Sequence, residues 1–137
     1  MEDDRHFPEG HPYAGWVRPK YVNIFTYEGR LYNLEMTSGP HVAAFAANLI
    51  RSLHPQIKNR TDEMWGKGKT YKKRYRAAEK AQEIATAVIT ETFGAHNEGQ
   101  QVQGSPQAPT AFDYRTLQLL IAEYILDTII SPKTEDD

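Results

Sequence analysis

The sequence contains no cysteine. Disulfide frameworks and thiolate chemistry are therefore excluded, and the absence fits a reducing compartment. No apolar run reaches the roughly 18 residues that a membrane span requires, so no membrane partner is expected. The opening stretch, MEDDRHFPEG, is acidic and lacks the apolar segment of a signal peptide. The expected location is the cytoplasm, of a cell or of an infected host. His6, His11, His41, His54 and His96 include no pair at i, i+4 spacing. A metal site needs convergent ligands of that kind, so no metal and no cofactor are expected. There is no internal repeat, no zinc-finger spacing, no helix-turn-helix pattern and no Ser/His/Asp hydrolase motif.

What is present suffices for one folded domain. The 137 residues are 39% hydrophobic and 11% aromatic, which is enough to bury a core without staples. Net charge is only −2, but it is unevenly spread. Residues 58–76 carry eight basic side chains against two acids, a local balance of +6 that leaves −8 on the remainder. A basic patch on an acidic body orients toward a polyanion.

Residues 1–20 read as an extended arm, because Pro8, Pro12 and Pro19 exclude helix. Trp16 is the natural anchor of that arm on the domain or on a neighbouring subunit. Residues 21–131 form the expected single domain, of α+β class. Within it, YVNIFTY and RLYNLEM are β-branched and aromatic and flank Glu28-Gly29. That pattern predicts a β-hairpin over 21–36, packed on about three helices. Val42, Phe45, Ala46, Leu49, Ile50 and Leu53 mark one apolar stripe and predict a helix over 40–53, ended by His54-Pro55. Thr61 before Asp62 and Glu63 reads as a helix start.

A long helix is expected over about 69–93, closed by Gly94, with Tyr71, Tyr75, Ala78, Ala81, Ala85, Val88, Ile89 and Phe93 inward. Residues 95–112 read as a polar, flexible linker that buries nothing. Asp113 then caps a last helix over about 114–130, apolar around most of its circumference. Such a helix is central or shared between subunits. Tyr124, Ile125 and Ile129, with Trp16, are the expected interface of a homo-oligomer. Residues 132–137 form an acidic tail.

Three constellations could carry function. Gly68-Lys69-Thr70 matches the end of a phosphate-loop pattern, but Glu63 stands where the pattern needs glycine and no apolar strand precedes it. The second is basic and aromatic: Lys67, Lys69, Lys72, Lys73, Arg74 and Arg76 are interleaved with Trp65, Tyr71 and Tyr75. On a helix Lys69, Lys72, Lys73 and Arg76 would share one face, able to track phosphates while the aromatics stack on bases. A plain solvated helix face, with both tyrosines in the core, is the competing reading.

The third is acidic. Glu79 with Glu83, and Glu123 with Asp127, pair at i, i+4 on two helices. This loosely resembles the magnesium sites of helical nucleotide pyrophosphatases, although those use i, i+3 spacing. Surface ion pairing is the alternative. The function expected is non-enzymatic: a nucleic-acid-associated accessory protein that binds phosphates through Trp65, Lys67, Lys69, Tyr71, Lys72, Lys73, Arg74 and Arg76. The alternatives are a protein-interaction or inhibitor module of phage or mobile-element type that meets an acidic partner, and a phosphorylated-ligand binder or magnesium-dependent nucleotide hydrolase.

Overall fold

The computed structural model describes residues 23–102 and 112–132, so the expected arm and acidic tail, Trp16 included, fall outside it. The described chain is nearly all-helical, which overturns the α+β expectation and its hairpin. Residues 27–38 form helix α1 (Tyr27–Ser38) instead. Thr26 stands in extended conformation and its hydroxyl accepts the Gly29 N–H at 3.0 Å, an N-cap that satisfies one orphan donor. Glu28 adds a carboxylate at the positive end of the helix. Leu31 and Leu34 then turn one face into the core. Cap and packing together outweigh the β-propensity of the flanking residues.

Gly39, at φ 97°, ends α1 and opens α2 (Pro40–Ser52), whose proline sits in the first turn as expected. The expected stripe is buried at Ala46, Ile50 and Leu53, but the buried face is centred toward the alanines beside it. Ala43, Ala46, Ala47 and Ile50 are sealed, while Val42, Phe45 and Leu49 are only partly covered. Small side chains let α1 and α2 approach closely. After Leu53 the chain re-enters helix at once as α3 (His54–Thr61), with Pro55 tolerated in the opening turn. Thr61 is therefore not a helix start. It is buried, and its hydroxyl donates to Ile57 O at 2.7 Å.

A π-helical turn (Asp62–Gly66) follows α3. Gly66 at φ 122° and Gly68 at φ 76° then turn the chain sharply, in a region that glycine enters without strain. Thr70–Tyr71 forms strand β1, which pairs in parallel with β2 (Ser131–Pro132) from the far end of the chain. Helix α4 (Arg74–Phe93) begins only there, five residues later than expected, and stops at Gly94 as expected. Its buried face is Ala77, Ala81, Ile84, Ala85, Val88 and Ile89.

The stretch read as a linker buries more than its polarity predicts. Val102 and Phe112 are both in the core, and the Val102 N–H donates to Phe112 O at 3.0 Å. Asp113 caps α5 (Tyr114–Tyr124) by accepting the Thr116 N–H at 2.8 Å, and a π-helical turn (Ile125–Ile129) extends it. Helix α5 is the central element. Leu117, Leu120, Ile121, Ile125 and Leu126 are wholly shielded within one chain. Each such side chain contributes about 1.5–3 kcal/mol of hydrophobic stabilisation.

Candidate nucleic-acid interface

The segment from the first π-helical turn to the first turn of α4 gathers five of the unpaired cations among the described residues. Lys58 and Arg60 are neutralised locally, by Asp62 at 3.5 Å and by Glu63 and Glu91 at 3.4 and 2.9 Å. Among the described residues no ion pair involves Lys67, Lys69, Lys72, Lys73 or Arg76. All five are exposed. The expected helical stripe is not how they meet, because Lys67, Lys69 and Lys72 precede the helix. They meet because the chain folds back at Gly66 and Gly68. The aliphatic stem of Lys69 lies over Gly66, where a Cβ would stand 2.6 Å from Lys69 Cδ.

Lys72, Lys73 and Arg76 converge on a cavity of about 320 Å³. The half-buried Trp65 and the buried Tyr71 and Ala77 supply its apolar wall. The start of α4 adds to the positive potential. Its N-cap is Lys73, no side chain caps it, and no acid lies in its first turn. Cations at a helix N-terminus oppose the macrodipole by roughly 0.3–1 kcal/mol each, so stability gives no reason for this arrangement.

Arg74 is drawn out of the set. Its guanidinium pairs with Asp127 at 2.8 Å and Glu123 at 3.4 Å, and donates to the Tyr71 hydroxyl at 3.2 Å. Burial works against its charge, yet Asp127 and Glu123 more than offset this and hold its pKa above the usual guanidinium value. Glu123 also faces Arg30, at 4.0 Å, and is only 5% exposed. Burial pushes its carboxyl above the ordinary carboxylate value, against the pull of Arg74 and Arg30. Burial likewise lowers the Arg30 pKa.

The aromatics divide differently from the expectation. Tyr71 is 7% exposed and belongs to the core. Tyr75, expected inside, is 65% exposed, and the Arg76 guanidinium sits 5.8 Å from its ring centroid. Phe25, also exposed, joins Tyr75 and Ala78 around a second cavity of about 280 Å³ whose charged members are Arg74 and Glu123. Nothing local announces Phe25, whereas Tyr75 is signalled by its place among the interleaved cations. Arg30 could have been inferred, since two acids on an otherwise apolar helix require cationic partners.

Tyr124, expected at a subunit interface, is half-buried against Tyr27, and its hydroxyl pairs with His54 Nδ1 at 2.6 Å. Ile125 is sealed in its own core, and Ile129 packs against that core. The four carboxylates do not converge. Glu79 is exposed, Glu83 pairs with Lys80 at 3.2 Å, and the other two hold arginines. Among the described residues no group of three or more acids and histidines could hold a metal ion. Nor is any helix there long and apolar enough to cross a membrane. No protein-family model, curated protein or solved structure matches this chain.

Proposed function

We propose that this protein is a non-enzymatic, nucleic-acid-associated accessory protein of the cytoplasm, which holds phosphates with Lys67, Lys69, Lys72, Lys73 and Arg76. One observation carries the reading: five exposed cations have no acidic partner among the described residues, and three of them, Lys72, Lys73 and Arg76, line a tryptophan-walled cavity at an uncapped helix start. Such a grouping is costly to the folded chain by itself and becomes favourable when phosphates enter. Arg74 is a scaffold residue in this reading, because its charge is already matched.

The test is the salt dependence of binding to an oligonucleotide. Each phosphate neutralised contributes about −0.7 to the log–log slope on single strands and about −0.9 on duplex. Five contacts give a slope of about −3.5 to −4.5. Reversing three charges, Lys72→Glu with Lys73→Glu and Arg76→Glu, abolishes binding at moderate salt. A slope near zero, or affinity unchanged by the triple substitution, refutes the proposal.

A second reading has its own observation. Phe25 and Tyr75 are 61% and 65% exposed, and Tyr75 adjoins Arg76. Exposed aromatics next to cations also fit the core of an interface with an acidic protein. Capture of one protein that survives nuclease, together with failure to bind any oligonucleotide, would decide for it.

A further inference from the structure

Phosphate contacts alone need a charged groove, not an apolar hollow. Here the cations stand around one. Trp65, Tyr71 and Ala77 line a cavity of about 320 Å³, within the range in which proteins hold small ligands. A polyanion without flat apolar groups leaves that space empty. We infer that the cavity seats one unpaired nucleobase against Trp65 while Lys72, Lys73 and Arg76 hold the flanking phosphates, so the nucleic acid taken is single-stranded. This rests on the phosphate-binding reading above.

The chemistry favours a single strand on two counts. A base within a duplex has both faces stacked and its pairing edge occupied, so it cannot enter a concave site without being extruded. An unpaired base offers a free face to an aromatic side chain next to its own backbone charge, the pairing that single-strand binders exploit. Thr70 is the one uncharged hydrogen-bonding side chain at the cavity apart from Trp65 and Tyr71, and the Tyr71 hydroxyl is already engaged by Arg74. Recognition is therefore tolerant of base identity, resting on stacking rather than on edge contacts. The second cavity offers no comparable site. Its Arg74 and Glu123 neutralise each other, so it has no surplus charge for a phosphate.

The experiment compares three probes on the full chain at one salt concentration: oligothymidylate, the same oligomer with abasic sugars, and a duplex of equal length. Oligothymidylate binds, quenches tryptophan fluorescence, and exceeds both other probes by about tenfold. The quench is lost in Trp65→Phe, and Trp65→Ala lowers oligothymidylate affinity by about tenfold while leaving the abasic oligomer's affinity unchanged. Equal affinity for the abasic oligomer, or preference for duplex, overturns the single-base inference and leaves phosphate binding intact. Failure of all three probes to bind at low salt overturns both.

Discussion

Arg74 Nη1 stands 2.8 Å from Asp127 Oδ1, which ties the first residue of α4 to the π-helical turn after α5. The other oxygen of Asp127 accepts the Tyr27 backbone N–H at 2.8 Å, at the start of α1. One carboxylate thus joins three elements remote in sequence. It lies at the positive end of α1 and so stabilises that helix as well. The same clamp fixes where α4 begins, and with it the place of Lys72, Lys73 and Arg76 around their cavity.

Asp127→Ala removes both contacts. The expected loss is about 1–3 kcal/mol of unfolding free energy, since a partly buried guanidinium and a helix-start donor lose their acceptor together. Urea denaturation measures it. Oligonucleotide affinity is expected to fall as well, because the clamp sets the place of Lys72, Lys73 and Arg76, while Arg74 itself stays matched by Glu123. Unchanged affinity in a folded Asp127→Ala protein would show that the clamp does not position the cations.

Glu123 and Arg30 form a buried pair whose two pKa shifts agree, since burial disfavours the charge on each. Removing Glu123 takes from Arg30 its one acidic partner among the described residues, and removing Arg30 leaves the buried Glu123 with Arg74 alone. Arg30→Met and Glu123→Gln are each expected to cost about 1–3 kcal/mol. The double variant is expected to cost at least about 1 kcal/mol less than the sum, because both charges leave together. A double-mutant cycle in urea reads the coupling directly, and additive losses would contradict the pairing.

The raised Glu123 pKa also sets a pH dependence. The folded chain binds this proton more tightly than the unfolded chain, whose ordinary value is 4.5. Stability linked to the group is complete below that value and falls as pH rises through the folded one. Glu123→Gln does not titrate. The stability of wild type minus that of Glu123→Gln is therefore expected to decline with pH from about 4.5 upward, as followed by urea titrations at stepped pH.

Elements whose evidence lies within their own span were legible in the sequence. The Asp113 cap and the apolar run 117–126 mark α5, and Gly94 marks the end of α4. The misplaced elements depend on distant partners. Helix α1 takes a cap from Asp127, one hundred residues away, while its composition favours strand. The lysines of 67–73 are good helix formers, yet Thr70–Tyr71 is held extended by Ser131–Pro132. The site shows the same division. The cluster of cations is plain in the sequence, but the withdrawal of Arg74 follows from Glu123 and Asp127 and no local pattern reports it.

Gly29 inverts an ordinary rule. Replacing a helical glycine by alanine usually stabilises by about 0.5–1 kcal/mol. Here an added Cβ would stand 1.8 Å from Asn23 O and 2.8 Å from Thr26 Oγ1. The clash is with backbone and with the capping hydroxyl itself. Gly29→Ala is therefore expected to destabilise by about 1–3 kcal/mol and to fray the start of α1, which hydrogen exchange at Arg30 and Leu31 would report.

Trp65 supplies the last test, because its indole N–H is buried and has no hydrogen-bond partner among the described residues. An unmet buried donor costs about 1–3 kcal/mol. Trp65→Phe removes that donor and forfeits part of the ring's buried area, roughly 1 kcal/mol at 25 cal/mol per Å². The two effects oppose each other, so thermal stability is expected to stay within about 1 kcal/mol of the parent or to rise. Trp65→Ala forfeits the ring without a comparable gain and is expected to lose about 2 kcal/mol or more. Equal losses for the phenylalanine and alanine variants would mean that the indole nitrogen, and not the ring, holds this wall of the cavity in place.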